Sequence, residues 1–279
     1  MSGVMGISLG TVLLTQIDKI ILSKMLTLEV FSYYMLATTV ATVIMSLVSP
    51  IHTALFPRLS QLVVKKDEAG ISDLYHRGCQ LASIIILPIS ITMIFFSKEI
   101  LTTWIGDPTV VNNTYILLSL LIVGTTIKAY MTLPYTLQLA HGWTKLAFYK
   151  NVIAVIIIIP SMLWSAQMYQ GIGAAWVQII LYLGLLIFEI IIMHKRILKG
   201  DMRKRYGYDV FIPALIVSII GLVAHEILDI FLIDVSQVIT ALAVFCTLLF
   251  SFMASAWSTG NLNVRIMSLL KIKERKKIV

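Results

Sequence analysis

Ser8-Leu9-Gly10-Thr11-Val12-Leu13-Leu14-Thr15-Gln16-Ile17-Asp18-Lys19-Ile20-Ile21-Leu22-Ser23-Lys24 reads as a membrane helix that carries charge. Spacings of three, four and seven return to one helical face, so Ser8, Thr11, Thr15 and Asp18 line up. Gln16, Lys19 and Ser23 form a second polar row beside them. A central Asp or Lys costs roughly 3 kcal/mol on insertion scales. This helix must therefore face protein or a wet cavity rather than lipid.

The rest of the chain has the composition such a helix needs around it. Hydrophobic residues make up 58% of 279 and charged residues 13%, against about 25% charged in ordinary soluble domains. Mean hydropathy is +0.92. The apolar runs are helix-length rather than strand-length. The fold class is all-α integral membrane, with about eight spans near 4–26, 31–55, 79–96, 114–137, 146–164, 172–193, 211–227 and 230–254. Each holds enough residues to cross a hydrocarbon core about 30 Å thick. The N-terminus shows no basic leader region with a small-residue cleavage site, so no signal peptide is expected.

Loop charge gives an orientation. Segments 57–77, 138–150, 194–209 and the tail from Ser258 hold 18 of the 22 Lys and Arg residues. The opposite loops hold Lys24 and Lys98 among several acids, and Lys19 and Lys128 lie inside spans. The positive-inside rule then expects both termini and the basic loops in the cytoplasm. The net charge of +8 is accounted for by topology, so no nucleic-acid partner is expected. Segment 57–77 reads as an amphipathic surface segment broken at Gly70, and the tail 258–279 as a basic segment drawn to membrane lipids.

Within the spans, Tyr34, Thr38, Thr42, Ser46, Ser49 and Thr53 form a hydroxyl stripe, expected to mark close packing with hydroxyls bonded to their own backbone. Thr125, Lys128, Thr132 and Tyr135 share a face of the fourth span. Lys128 lies about nine residues, roughly 13 Å, from the cytoplasmic end, too deep for easy snorkelling. It is read as a cationic site suited to a phosphate or carboxylate, with a buried ion pair that orients helices as the alternative. Depths along the spans set Asp18 and Lys128 about 9 Å apart, so a direct pair is not expected, and Lys19 is expected to snorkel outward. Gln178, Tyr182 and Glu189 share a face of the sixth span, with Glu189 expected in an interfacial salt bridge to His194, Lys195 or Arg196. The last two spans, nearly free of interior polar groups, are expected to be peripheral.

Nothing in the sequence points to catalysis. The histidines stand in no metal-ligand spacing, and no Gly-rich phosphate loop, Gly-x-Ser-x-Gly or paired intramembrane carboxylates occur. Cys79 and Cys246 fall in apolar runs and are read as buried thiols. The expectation is no metal, no cofactor and no enzyme activity. The substrate-path candidates are Lys128, Asp18, Lys19, Gln16, Thr125, Thr132, Tyr135 and Gln178. An integral-membrane enzyme working at the outer face would need a large outer loop, and the longest here is about 97–113.

Gln16-Ile17-Asp18-Lys19, Tyr33-Tyr34, Pro50, Phe56-Pro57-Arg58-Leu59-Ser60, Leu137-Gln138-Leu139-Ala140-His141-Gly142-Trp143-Thr144-Lys145 and Gly171-Ile172-Gly173-Ala174-Ala175 follow in this order along the chain. As a set they resemble the polysaccharide flippases, for O-antigen (lipopolysaccharide) or capsule repeat units, of the multidrug/oligosaccharidyl-lipid/polysaccharide exporter superfamily. The resemblance implies two six-helix lobes facing each other, with 1–194 as the second lobe, 195–257 as two added helices and 258–279 as a cytoplasmic tail. It implies flipping of undecaprenyl-pyrophosphate-linked oligosaccharides across a bacterial cytoplasmic (inner) membrane, with Lys128 drawing the pyrophosphate or an acidic sugar. The alternatives are a cation-coupled multidrug exporter of the same superfamily, for which Asp18 speaks, and a non-transporting membrane fragment. Since substrate lies between lobes in such transporters, either an N-terminal lobe or a second copy is the expected partner, and a fragment of a longer protein is the favoured expectation.

Overall fold

In the computed structural model the described residues are 15–196, 207–231, 240 and 242–259. Among them every regular element is helical and there is no strand. The helices are α1 (residues 15–25), α2 (Leu28–Ala41), α3 (Val43–Val64), α4 (Glu68–Phe95), α5 (Ser97–Ile105), α6 (Pro108–Ala140), α7 (Thr144–Arg196), α8 (Ile212–Phe231) and α9 (Leu242–Thr259). A π-helical turn, Gly207–Phe211, leads into α8. Ser8 and Thr11, most of the basic segment 194–209 and nearly all of the tail lie outside the described residues.

Among the described residues six stretches are long and apolar enough to cross a membrane: Leu28–Val64, Glu68–Phe95, Pro108–Ala140, Thr144–Met193, Gly207–Leu228 and Leu242–Thr259. One of these serves as two spans. On a straight helix Lys150 and Glu189 would lie about 58 Å apart, yet their side chains meet at 2.9 Å. The chain reverses at Gln170, whose φ of 51° and ψ of −135° interrupt α7. Its two arms are therefore the fifth and sixth spans expected from the sequence.

Several boundaries differ from the sequence reading. The second span starts at Leu28 and runs on to Val64, through a short irregularity at Thr42 and past Pro50 and Pro57. The third starts at Glu68 rather than near Cys79. Segment 57–77 is thus no separate surface segment but the ends of two long helices. They break at Lys65–Asp67, where Lys66 takes a φ of 55°, not at Gly70. Asp67 caps α4 by accepting the Gly70 N–H at 2.9 Å. A Cβ on Gly70 would lie 2.4 Å from the Asp67 carboxylate, so this glycine makes room for the cap and starts no break. Replacing Asp67 with alanine is expected to cost about 1 kcal/mol, read as a lower thermal midpoint in detergent; an unchanged midpoint would remove the cap from the argument.

Segment 97–113 is mostly helical: α5 and the start of α6 fill it. Asp107 caps α6 by accepting the Thr109 N–H at 2.8 Å, with Pro108 opening the helix, a position where its missing N–H costs nothing. Toward the other end of the chain, α8 runs on to Phe231, and the next apolar stretch among the described residues is Leu242–Thr259.

α6, about 50 Å long at 1.5 Å per residue, is the axis and touches α2, α3, α4, α5 and α7. Two apolar clusters surround it. One, toward the end opposite the basic loops, gathers Leu22, Tyr34, Leu118, Ile122, Ile158 and Met162. The other, toward the basic end, gathers Ile44, Leu59, Tyr75, Ile86, Leu133 and Leu137. α8 packs on α4, with Gly221 against Phe95 and Ile91, while Phe211, Leu215, Ile219 and Leu222 stay exposed. α9 reaches α4 through the Ser255 hydroxyl, which donates to the Ser83 carbonyl. Cys79 is buried but Cys246 is exposed, correcting the expectation of two buried thiols: Cys246 lies on the outward apolar face of α9.

Candidate functional site

α1, α2 and the second arm of α7 bring Asp18, Tyr34 and Gln178 together. The Tyr34 hydroxyl donates to Asp18 Oδ2 at 2.7 Å. Gln178 Nε2 donates to the same oxygen at 2.9 Å and to the Tyr34 hydroxyl at 3.0 Å. The protons balance: one amide N–H serves each acceptor, and the phenol gives its own proton to the carboxylate. Asp18 is 4% exposed and Tyr34 wholly buried. Asp18 Oδ1 makes no hydrogen bond among the described residues.

Lys128 reaches this cluster from α6. Its ammonium sits 5.5 Å from the centre of the Tyr182 ring, one helical turn along α7 from Gln178. Among the described residues no carboxylate lies within 4.0 Å of its nitrogen. This agrees with the depth argument, which set the two residues in different layers. Tyr182 supplies a weak, non-neutralising contact in place of a counter-ion.

The remaining candidates divide. Lys19 is half-buried and Gln16 exposed. The Thr125 hydroxyl turns back to the Leu121 carbonyl at 2.7 Å, and Thr132 is half-buried. Tyr135 belongs to a second cluster toward the basic end. There Glu189 Oε1 accepts from Lys150 Nζ at 2.9 Å and from Gln138 Nε2 at 2.7 Å. Lys150 also lies 5.7 Å from the Tyr135 ring, which stacks on His52 at 6.3 Å. The Thr136 hydroxyl gives its proton to the Thr132 carbonyl, so in the contact with His52 it accepts from Nδ1.

Glu189 is wholly buried and Lys150 nearly so. This corrects the expected interfacial bridge to His194, Lys195 or Arg196. Lys195 and Arg196 are exposed, and Arg196 stacks on Trp143 at 4.9 Å. Sequence spacing alone could not pair Glu189 with Lys150, because only the reversal at Gln170 brings them together. A third cluster holds the turn before α8 to α4: Asp209, also buried, accepts from Gln80 at 2.8 Å and pairs with His76 at 2.7 Å.

The hydroxyl stripe of the second span is mixed. Thr38, Thr42 and Thr53 bond carbonyls of their own segment, as expected. Thr42, Ser46, Ser49 and Thr53 are nevertheless exposed, so this part of the stripe is not packed against another helix of the described chain.

Among the described residues these features define an all-helical membrane protein in which buried Asp18 is held by two neutral donors and Lys128 has no carboxylate within 4.0 Å. Residues 2–109 match the family model described as "Polysaccharide biosynthesis protein". The matched stretch includes Asp18 and Tyr34, while Lys128, Gln178 and Tyr182 lie beyond it. No curated protein and no solved structure matches the chain.

Proposed function

We propose that this chain takes part in flipping undecaprenyl-pyrophosphate-linked oligosaccharide repeat units across a bacterial cytoplasmic membrane, as a transport component rather than a catalyst. In this reading the basic loops and both termini are cytoplasmic, and the sugar unit belongs to an O-antigen or capsule polymer. The observation that carries it is Lys128, an intramembrane cation resting over Tyr182 with no carboxylate within 4.0 Å among the described residues. An ammonium so placed gains most from a mobile anion, and a diphosphate offers the charge and the acceptors for it.

The test is complementation in the native host with Lys128→Ala and Lys128→Arg, scoring surface polysaccharide at matched protein level. The alanine variant is expected to lower polymer about tenfold or more, and the arginine variant to keep much of the activity. Normal polymer from both variants would remove the phosphate-site reading.

A further inference from the structure

Asp18 and Lys128 pose a problem of charge. Gln178, which holds Asp18, and Tyr182, over which Lys128 rests, stand one turn apart on α7, and Asp18 Oδ1 is buried without a hydrogen bond among the described residues. In a medium of low dielectric a nearby carboxylate and ammonium attract strongly. Had they closed, the cation would be neutralised and an incoming anion would have to break the pair. They have not closed, and Oδ2 is taken by two neutral donors, Tyr34 and Gln178, at 2.7 and 2.9 Å.

We propose that Tyr34 and Gln178 are positioning residues: by holding Oδ2 of Asp18 they keep that carboxylate from closing on Lys128 and so keep the cation available to a diphosphate-bearing lipid. The inference rests on the reading of Lys128 as an anion site. Three features carry it together. The donors come from α2 and the second arm of α7, on two elements other than that of Asp18, so the carboxylate is anchored from outside its own helix. Gln178 Nε2 also braces the Tyr34 hydroxyl at 3.0 Å, so each donor orients the other. Lys128, for its part, rests on an aromatic face one turn away, which holds the ammonium without spending its charge. Asp18 then competes with the ligand at a distance, limiting how tightly the anion is held.

The experiment measures binding of undecaprenyl pyrophosphate to the full chain in nanodiscs of zwitterionic phosphatidylcholine, where no lipid headgroup competes as an anion. The variants are Tyr34→Phe, Gln178→Leu, Lys128→Ala, Asp18→Asn and the double Tyr34→Phe/Asp18→Asn, each checked for a folded, monodisperse state. Tyr34→Phe is expected to weaken binding about threefold to tenfold, the range one hydrogen bond represents, with Gln178→Leu changing it in the same direction. Adding Asp18→Asn is expected to restore affinity, because the competing charge is gone; a merely structural role for Tyr34 predicts no such rescue. If Lys128→Ala abolishes binding while neither Tyr34→Phe nor Gln178→Leu weakens it, the positioning role is overturned and the anion site stands. Weakened binding that Asp18→Asn does not restore overturns it as well. If Lys128→Ala binds as the parent does, the anion site itself falls, and the positioning role with it.

Discussion

Replacing Glu189 with alanine is expected to destabilise the bundle by about 3–5 kcal/mol, the usual cost of leaving one member of a buried ion pair without its partner. Glu189 is wholly buried and Lys150 is 8% exposed. Gln138 would lose the acceptor of its 2.7 Å bond in the same step. The loss is therefore a stranded ammonium plus a stranded amide, not the small net value of the pair itself. A double replacement, Glu189→Leu with Lys150→Met, removes both charges and is expected to recover most of the stability, since apolar substitutes for a buried pair are often neutral or better. Thermal unfolding in detergent of the single and double variants checks this. Equal midpoints for Glu189→Ala and the parent would show that Lys150 finds another partner.

The way these residues escaped the sequence shows what a linear reading can reach. Asp18 and Lys128 stand out in any apolar run because charge there is costly, and helical period alone sets Gln178 and Tyr182 on one face. That much of the site is local and was legible. Tyr34 was visible as the first member of a hydroxyl stripe, but its role depends on α1, α2 and the second arm of α7 meeting at one point, which no spacing within one helix contains. Glu189 is the sharper case. Its nearest cations in sequence, Lys195 and Arg196, look like natural partners, while its actual partner is 39 residues away. Likewise Asp209 and His76, 133 residues apart, were read as members of loops because both sit at the charged margins of apolar runs. Spans were legible because hydropathy is a sum over many residues. Their ends were not, because helices such as α4 run well past the apolar window and stop where a cap such as Asp67 allows.

Gly173→Ala is expected to disrupt the reversal of α7, although it adds a single methyl group. A Cβ there would lie 2.5 Å from the Ser165 carbonyl oxygen and 3.0 Å from both its carbon and the Tyr169 Cβ. The first contact is backbone, so no side-chain rotation relieves it and the two arms of α7 must part. Overpacking of this kind costs about 1–3 kcal/mol, and here the displacement also carries a functional load. The second arm begins at this contact and bears Gln178, Tyr182 and Glu189 in turn, so a shift at Gly173 moves the brace on Asp18, the ring under Lys128 and the partner of Lys150 together. Gly171, two residues earlier, is the control: a Cβ there meets Leu117 at 3.4 Å and Tyr34 at 3.5 Å, contacts that small side-chain adjustments accommodate, so Gly171→Ala is expected to be close to neutral. The measurement is the thermal midpoint of both variants, followed by surface polysaccharide in the native host at matched protein level. If Gly173→Ala matches Gly171→Ala in both, close approach at the reversal does not set the register of the arm that carries the site.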